Sequence, residues 1–298
     1  MLDLTCTHSH SPSLKVEQLE KLLIYLKQVH QIDLTGYKRP SLLRRTQLRM
    51  QQVGVECYQD YFDQLQQQPD EVTHLVNTVL VNFTCFFRDR PVWDYLINHV
   101  IPHIITSKAP NEPIRIWSAG CASGEEAYSL AMLLAEMLGP EQFLQRVRIY
   151  GTDVDQDAIR QAHKGCYSAA VAEEIPPVLL GRYFEPTPEG YRWRPDYCPP
   201  ILFHPHDLIQ TAPMPKIDLL VCRNLLMYLT SETQVRALVR FHFSLQPTGF
   251  LLLGQAESLI AHPQASLFKP TYRQTKVFQK VPNALHSVIR SLGSKVTL

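Results

Sequence analysis

Residues 114–138 decide the fold and read IRIWSAGCASGEEAYSLAMLLAEML. The β-branched and aromatic run 114–117 predicts a short strand, and the small residues over 118–124 predict a tight turn. Residues 125–138 repeat apolar side chains at helical spacing. In this order of strand, turn and helix, glycines let the backbone approach a ligand, and the helix start offers unpaired N–H groups to it. The stretch therefore predicts a ligand-binding turn in an α/β fold.

The turn lacks two glycine patterns that commonly bind phosphate groups. It contains neither the dinucleotide fingerprint G-x-G-x-x-G nor the P-loop that ends in Gly-Lys-Ser/Thr. The acidic pair Glu125-Glu126 would repel phosphates and suits a ligand with hydroxyls and an ammonium group, as in S-adenosylmethionine. An alternative stays open for Glu126, because Ser123 and Glu126 also have the spacing of a capping box at a helix start.

The composition is that of an ordinary globular chain of 298 residues, of which 45% are apolar and 19% are charged. The 29 basic and 28 acidic residues give no overall attraction to nucleic acid or membrane, so any basic binding surface must be local. The seven cysteines are dispersed, without a CxxC pair or metal-ligand spacing. With no signal peptide and no apolar run that could span a bilayer, this pattern predicts a cytoplasmic protein with reduced thiols and no metal.

The first part of the chain predicts a small all-helical domain over residues 14–81. Apolar residues recur at helical spacing over 14–29, 40–53, 57–66 and 70–81. The second of these segments and the two residues before it carry five positive charges, Lys38, Arg39, Arg44, Arg45 and Arg49, with no acidic residue between Leu34 and Val55. Like charges on one helix face oppose each other. We therefore expect a partner rich in carboxylates, with nucleic acid and a merely solvated helix face as alternatives.

Residues 82–89, NFTCFFRD, form an aromatic segment that is unusual for a linker. Its three phenylalanines alternate with Asn82, Thr84 and Arg88, so an apolar anchor would hold a polar set in place. The segment is predicted to form a wall of the cofactor site, and a hydrophobic staple between domains is the alternative. With the helix predicted over 91–105, we assign residues 82–109 as a linker and helix that contribute to the site.

Strands and helices alternate after the turn and predict a parallel sheet. A strand over 147–150 leads to Asp153, at the place where nucleoside-binding α/β folds carry an acidic residue for ribose hydroxyls. The following Asp155 or Asp157 is expected to cap the next helix. The apolar run 217–222 predicts a central strand buried on both faces, with polar residues at its carboxyl end, where open α/β sheets bind ligands.

A proline-rich stretch interrupts this alternation. Residues 191–194 alternate aromatic and basic side chains, which is typical of a hairpin. We therefore predict a β-subdomain insertion over about 176–203.

Four motifs, NFTCFFRD, WSAGCASGEEAYSLAM, GTDVD and DLLVCRNLLMYL, resemble in this order the chemotaxis receptor glutamate methyltransferases, the CheR family. The resemblance covers residues from about 15 to 281. It implies a Rossmann-like S-adenosylmethionine-dependent methyltransferase domain over 110–281 with the small β insertion, after the helical N-terminal domain and before a tail over 282–298. It further implies O-methylation of glutamate side chains on the cytoplasmic helices of a chemoreceptor, with no nucleic-acid partner and no membrane insertion.

The resemblance also implies roles for single residues. Arg88 would hold the cofactor's carboxylate or the incoming glutamate, and Tyr228 would orient that glutamate; both are assigned as catalytic. The receptor helices, rich in Glu and Gln, would be contacted by Arg44, Arg45 and Arg49. The residues assigned to the cofactor are Asn82, Thr84, Arg88, Gly120, Glu126, Asp153, Asp207, Leu208, Asn224 and Leu225.

The sequence departs from the family pattern in three places, two single residues and one turn. Ala127 follows Gly-Glu-Glu where the family has proline, which the first helical turn tolerates. Asp207 replaces an asparagine, and a carboxylate cannot donate a hydrogen bond to an adenine ring nitrogen. The β insertion has a short turn over 186–191, compared with members that dock a receptor's C-terminal peptide.

Two other functions remain open from the sequence. A methyltransferase for RNA or a small molecule would use the basic helix to meet phosphate, and a non-catalytic signalling adaptor would bind the nucleoside or a receptor without turnover. Methylation of a carboxylate that is already ionised needs no general base. This agrees with the absence of a Ser/His/Asp or paired-acid constellation.

Overall fold

The structure is a computed structural model that describes residues 12–198, 200–259, 265–272 and 275–284. The chain divides into two compact units. The helical unit contains the residues up to Val81 together with Tyr228–Thr233, and the sheet unit contains Asn82–Met227 and the residues from Gln234 onward. Among the described residues, no helix combines the length and the apolar character needed to cross a bilayer.

The helical unit is built from the four amphipathic helices that the periodicity predicts. Its core consists of apolar side chains from all four helices, among them the fully buried Leu26, Leu42, Leu65 and Leu75. Pro40 and Pro69 lie at the first positions of their helices, where the missing N–H costs nothing. The helices are α1 Pro12–His30, α2 Arg39–Gln52, α3 Tyr58–Gln67 and α4 Pro69–Val79.

A short segment from much later in the sequence completes the helical unit. The amide of Lys38 donates to the carbonyl of Tyr228 at 2.8 Å, and the amide of Thr230 donates to the carbonyl of Gly36 at 2.9 Å. Tyr37 and Leu229 form an antiparallel bridge between these bonds. Residues 228–230 therefore pair with the loop before α2 as a second strand would.

The sheet unit contains a seven-stranded sheet of the predicted α/β type. The strand order is β6-β2-β1-β7-β8-β10-β9, in which β6, β2, β1, β7 and β8 run parallel and β10 pairs antiparallel with β8 and β9. Every residue of the central strand β7 is buried, as its apolar run predicts. The strands are β1 Ile114–Ala119, β2 Val147–Asp153, β3 Cys166–Tyr167, β4 Phe184–Thr187, β5 Gly190–Trp193, β6 Ile201–Pro205, β7 Ile217–Cys222, β8 Leu245–Leu253, β9 Phe268–Tyr272 and β10 Val277–Lys280.

The strand order reverses between β1 and β7, because the chain goes from β1 to β2 on one side and later returns to β7 on the other. In open α/β sheets this reversal opens a crevice at the carboxyl ends of the strands, and ligands bind there. The helix that follows β1 is buried from Glu125 to Ala135, as expected of a helix packed within the core. The helices of the sheet unit are α5 Arg90–Tyr95, α6 Ile101–Thr106, α7 Glu125–Leu138, α8 Pro140–Arg146, α9 Gln156–Lys164, α10 Ala169–Ala172, α11 Pro177–Tyr183 and α12 Ser231–Ser244, with a π-helical turn Leu96–Val100 that joins α5 to α6.

The β insertion contains the predicted hairpin but has different limits. Strands β4 and β5 pair antiparallel with Phe184 opposite Trp193, and β3 pairs with the other edge of β5. The prediction ended the insertion at about residue 203, whereas β6 pairs parallel with β2 in the main sheet. The two residues of β3 are too short to produce a periodic pattern. Strand β6 lies at the sheet edge and buries only Phe203. Its sequence therefore lacks the continuous apolar run of a central strand and does not stand out from the insertion before it.

Candidate functional site

The glycine turn, residues 120–124, has a backbone that most side chains would not permit. Gly120 has φ +76° and Gly124 has φ +97°, both in the left-handed region. A Cβ atom on Gly120 would lie 2.8 Å from Cδ2 of Leu225, in the loop after β7. The amide of Gly120 donates to the carbonyl of Thr152 in β2 at 2.7 Å. The turn is therefore fixed against the ends of both neighbouring strands.

The capping box that the sequence left open is not formed. Gly124 is the N-cap of α7 and supplies no side chain. The hydroxyl of Ser123 donates to the carboxylate of Glu125, at 2.9 and 2.8 Å from its two oxygens. The carboxylate of Glu126 bonds to Ser118 and Arg223 instead, so it does not cap the helix start.

Glu126 lies in a buried polar network. Its Oε1 accepts from the hydroxyl of Ser118 in β1 at 2.7 Å, and Nη1 of Arg223 lies 3.4 Å from its Oε2. Burial raises the pKa of the Glu126 carboxyl, and the charge of Arg223 and the hydrogen bond from Ser118 oppose that rise. Arg223 was not among the predicted site residues. Its position directly after a fully buried strand was the available signal.

Arg223 also fastens the aromatic segment. Its Nη2 donates to the carbonyl of Arg88 at 2.9 Å and to Oδ2 of Asp89 at 2.6 Å. The guanidinium carbon lies 5.8 Å from the ring centre of Trp93. The carboxyl end of β7, the start of α7 and the aromatic segment are thereby joined through one cation whose side chain is 2% exposed.

The phenylalanines of the aromatic segment are not equivalent. Phe86 and Phe87 are buried, and the Phe86 ring packs edge-to-face on Tyr167 with centroids 4.9 Å apart. Phe83 is 71% exposed, so only two of the three phenylalanines act as the predicted anchor. Thr84 is half-buried.

Asn82 connects this segment to the end of β2. Its Nδ2 donates to Oδ2 of Asp155 at 2.5 Å. The other oxygen of Asp155 accepts from the amides of Asp157 and Ala158 at 2.7 and 3.2 Å and so caps α9, one of the two caps predicted. Asn82 is therefore held in place by Asp155, whose own position is fixed by its bonds to the start of α9.

Arg88 carries a guanidinium that no described carboxylate neutralises. Its Nη1 donates to the carbonyl of Phe83 at 3.1 Å, and its Cζ lies 5.3 Å from the centre of the Phe83 ring. Among the described residues, no acidic group lies within ion-pair distance of it. A half-buried cation of this kind suits an incoming carboxylate.

Asp153 bridges the ends of β1 and β2. Its Oδ2 accepts from the amide of Ala122 in the glycine turn at 2.9 Å, and its Oδ1 accepts from the amide of Asp155 at 3.0 Å. Burial raises the pKa of this carboxyl. A carboxylate has about four acceptor sites, so Asp153 retains capacity for the hydroxyls of a ligand.

Asp207 and Leu208 lie in the turn that follows β6. Oδ1 of Asp207 accepts from the amides of Ile209 and Gln210 at 2.7 and 3.0 Å and closes the turn locally. The amide of His206 donates to the carbonyl of Asp153 at 2.8 Å, which places this turn next to the end of β2.

The loop after β7, residues 223–227 and called here the Asn224 loop, is held by a carboxylate that the sequence analysis missed. Glu257 is buried, and its Oε2 accepts from the amides of Asn224 at 3.2 Å and Gly254 at 2.7 Å. Its Oε1 accepts from the amides of Leu225 at 3.0 Å and Met227 at 3.3 Å. Asn224 itself has φ +59°. Its Oδ1 is buried without a hydrogen-bond partner among the described residues.

Four of the predicted site residues belong to the helical unit. Tyr228 is one, and its carbonyl accepts the amide of Lys38. Arg49 forms two hydrogen bonds with the buried Glu71 of α4, Nε to Oε1 at 2.8 Å and Nη2 to Oε2 at 2.6 Å. The charge of Arg49 is thus offset by a carboxylate that lies outside the acid-free stretch of the sequence. Arg44 is exposed and Arg45 is half-buried, and in the described ranges neither forms an ion pair.

The sheet unit places five of the other predicted residues at or just after the carboxyl ends of β1, β2 and β7, namely Gly120, Glu126, Asp153, Asn224 and Leu225. Their arrangement fits S-adenosylmethionine on three grounds. The side-chain-free Gly120 allows close approach, the buried carboxylate of Glu126 and the half-buried carboxylate of Asp153 suit ammonium and hydroxyl donors, and Oδ1 of Asn224 is a buried acceptor that needs a donor. In the described part of the chain, no cluster of three or more His, Cys, Asp or Glu side chains has the arrangement of a metal site.

Comparisons with known proteins agree with this fold and with S-adenosylmethionine as the ligand. Two family models match, the all-alpha domain of the CheR methyltransferases over residues 17–80 and their SAM-binding domain over residues 82–276. A chemotaxis protein methyltransferase of Listeria innocua is 30% identical over 82% of this chain and 93% of its own length. Chemotaxis protein methyltransferase Cher2 of Pseudomonas putida is 31% identical over 82% of this chain and 91% of its own length.

A third relative is much longer. An uncharacterized 104.1 kDa protein of Rhodobacter capsulatus is 32% identical over 82% of this chain, and the match spans 26% of that protein. The match to the all-alpha domain precedes the match to the SAM-binding domain, which is the domain order that the resemblance implies. This chain therefore belongs to the CheR methyltransferase family and carries that family's S-adenosylmethionine-binding domain.

Proposed function

We propose that this chain methylates glutamate side chains on the cytoplasmic helices of a chemoreceptor, with S-adenosylmethionine as the donor and glutamyl methyl esters as products, and that it works in the cytoplasm. One observation carries the proposal, namely that both CheR domains match within one chain, over residues 17–80 and 82–276. The relatives named chemotaxis protein methyltransferases match over the same two regions together, at 30% and 31% identity.

The proposed reaction needs no general base from the protein. When bound, S-adenosylmethionine supplies a methyl group attached to a positively charged sulfur. A glutamate with its ordinary pKa of about 4.3 is already ionised at neutral pH, so no side chain has to remove a proton. The residues of the chain then have to orient the carboxylate and exclude water from it.

Arg88 is the residue we assign to a carboxylate, either that of the cofactor or that of the substrate glutamate. Its guanidinium bonds the carbonyl of Phe83 and has no acidic partner among the described residues, which supports this assignment. Tyr228 is assigned to orient the glutamate by a hydrogen bond.

The polar groups of the sheet unit are assigned to the cofactor. We assign the spare acceptor sites of Asp153 to ribose hydroxyls, and the carboxylate of Glu126 to the ammonium group. Nη1 of Arg223 lies 3.4 Å from Oε2 of Glu126, longer than the usual N–H···O distance, so this oxygen keeps acceptor capacity for an ammonium group, which supports the second assignment. The residues assigned to hold the cofactor are Asn82, Thr84, Arg88, Gly120, Glu126, Asp153, Asp207, Leu208, Asn224 and Leu225.

Receptor binding is assigned to the helical unit. Arg44 and Arg45 offer positive charge on α2 that is not taken up by an ion pair in the described ranges, and the receptor's methylated helices are rich in carboxylates. Charges at the rim of an interface chiefly steer association and fix register. Arg49 contributes less, because Glu71 already neutralises it.

The deciding experiment is transfer of labelled methyl from S-adenosylmethionine to purified chemoreceptor, followed by mild base. Release of the label as methanol identifies an ester and supports the proposal. Base-stable label on the receptor, or label that appears only on RNA or a small molecule, overturns the glutamate assignment. Binding of S-adenosylmethionine without transfer to any of these would instead indicate a non-catalytic adaptor.

A further inference from the structure

The carboxylate of Glu257 has no acceptor site left for a ligand. It accepts from four backbone amides, those of Gly254, Asn224, Leu225 and Met227. An ionised carboxylate offers about four acceptor sites, and here backbone donors use all of them. Because Glu257 is buried among these donors, it acts on the site only through the backbone that it holds.

The strand order explains why Glu257 reaches this loop. Strands β7 and β8 are parallel neighbours, and Cys222 lies opposite Leu253 at their carboxyl ends. The Asn224 loop and the turn from Gly254 to Glu257 leave the sheet at the same edge. The amide of Glu257 donates to the carbonyl of Gly254 at 3.0 Å, so the carboxylate projects from a closed turn.

The Asn224 loop needs such support from outside. The part-buried amides of Asn224 and Leu225 both bond to Glu257, and an amide that is left unsatisfied away from water costs as much as a lost hydrogen bond. Asn224 is in the left-handed region at φ +59°, which asparagine adopts more readily than most other non-glycine residues. The same residue carries the buried Oδ1 that has no partner among the described residues.

We propose that Glu257 is a positioning residue of the cofactor site, which fixes the Asn224 loop so that Oδ1 of Asn224 stays available to a donor group of S-adenosylmethionine. This inference rests on the proposed function, since it takes Asn224 to be a cofactor residue. Glu257 is assigned no contact with the cofactor and no part in the chemistry.

Asp218 in β7 provides a matched control for Glu257. It too is a buried carboxylate that accepts from a backbone amide, that of Arg115 at 2.8 Å, and it pairs with Lys108 at 3.1 Å. It lies at the amino end of β7, whereas Glu257 acts at the carboxyl end. Substitutions at both positions remove comparable buried interactions, but only one of them touches the Asn224 loop.

The test measures binding of S-adenosylhomocysteine by calorimetry and thermal unfolding for the full chain and its variants. Glu257→Gln turns two acceptor sites into donors that face amides, so we expect the Kd to rise by roughly 10-fold or more. Asp218→Asn should lower the melting temperature similarly and leave the Kd within about 2-fold. If Glu257→Gln does not fold, Glu257→Asp takes its place, because it keeps the charge on a shorter side chain.

A double-mutant cycle separates positioning from general destabilisation. Asn224→Ala should weaken binding and lose no more than the about 1–2 kcal/mol of stability that alanine costs at φ +59°. Glu257→Gln added to it should weaken binding little further, because both changes remove one interaction. Full additivity in the cycle, or an unchanged Kd for Glu257→Gln, overturns the inference and leaves the proposed function intact. If the unsubstituted chain does not bind S-adenosylhomocysteine, the proposed function fails and the inference fails with it.

Discussion

Nη2 of Arg223 lies 2.6 Å from Oδ2 of Asp89, and the same guanidinium reaches Glu126 and the carbonyl of Arg88. This cation joins three stretches of chain that are far apart in the sequence. The side chain of Arg223 is 2% exposed, that of Glu126 is 10% exposed and that of Asp89 is 35% exposed. The aromatic segment and the start of α7 therefore depend on one side chain at the end of β7.

Arg223→Met should destabilise the sheet unit by about 3 kcal/mol, because it leaves Glu126 buried without its counter-charge. Urea unfolding of the full chain measures the loss. Arg90→Met is the control, since Arg90 is exposed and follows the same segment, and its effect should stay within about 0.5 kcal/mol. Equal stability of the two variants would show that the network is dispensable.

Gly120→Ala should lower affinity for S-adenosylhomocysteine by roughly 10-fold, because the new methyl group collides with Leu225 and shifts the glycine turn. Gly139→Ala is the control for backbone strain. Gly139 has φ +77°, close to that of Gly120, but a Cβ there would have no neighbour within 4 Å. Both variants should lose about 1–3 kcal/mol of stability. Titration calorimetry should find the affinity loss in Gly120→Ala alone.

Arg88→Ala should reduce methyl transfer to receptor by roughly 100-fold, because it removes the cation assigned to a carboxylate. The melting temperature should change little, since the guanidinium bonds only the carbonyl of Phe83 among the described residues. Comparison of the Kd for S-adenosylhomocysteine with the KM for receptor then tells which carboxylate Arg88 binds. Near-normal turnover would remove Arg88 from the site.

Arg44→Glu together with Arg45→Glu should raise the KM for receptor by roughly 10-fold at low salt and leave cofactor affinity unchanged. Arg49→Glu should behave differently, because it places a second negative charge beside the buried Glu71. We expect it to unfold the helical unit, with a loss of about 3 kcal/mol or more. Circular dichroism separates the two outcomes, and a fully stable Arg49→Glu protein would contradict the ion pair.

The stability of the helical unit should depend on pH through Glu71. Hydrogen bonds from Arg49, with a further one from Tyr61, hold the pKa of the Glu71 carboxyl below its usual 4.5. Above pH 4.5 both states are ionised and the stabilisation is complete. As the pH falls from there through the lower folded-state pKa, the unfolded chain takes up the proton first and the stabilisation is lost.

Urea unfolding between about pH 6 and pH 3 checks this dependence. Glu71→Gln should flatten the acid limb of the stability curve. Glu17→Gln serves as its control, because Glu17 is exposed and pairs only with Lys21 one helical turn away. Parallel acid limbs in Glu71→Gln and the unsubstituted chain would refute the assignment.

Features with a local pattern could be predicted from the sequence. The four helices of the helical unit, the buried strand 217–222 and the hairpin in the insertion all follow from periodicity over a few residues. The glycine turn and the aspartate at the end of β2 could also be predicted, because each directly follows a predicted strand. Their proximity results from the position of β1 next to β2 in the sheet.

The interactions that fix the site could not be predicted in this way. Glu257 and the Asn224 loop, Arg223 and Asp89, and Arg49 and Glu71 are pairs whose members are separated by long stretches of chain. No periodic pattern marks either member of such a pair. The exposure of Phe83 shows the same limit, because the apolar character of a phenylalanine predicts burial for Phe83 as much as for Phe86.

The antiparallel bridge between Tyr37 and Leu229 has a consequence for biosynthesis. The four helices leave the ribosome first, but the segment that pairs with the loop before α2 is translated only after most of the sheet unit. Until then, the amide of Lys38 and the carbonyl of Gly36 lack the hydrogen bonds that residues 228–230 supply. A nascent chain would thus hold an incomplete helical unit, and a fragment ending at Val81 should be less resistant to protease than the same helices in the finished protein.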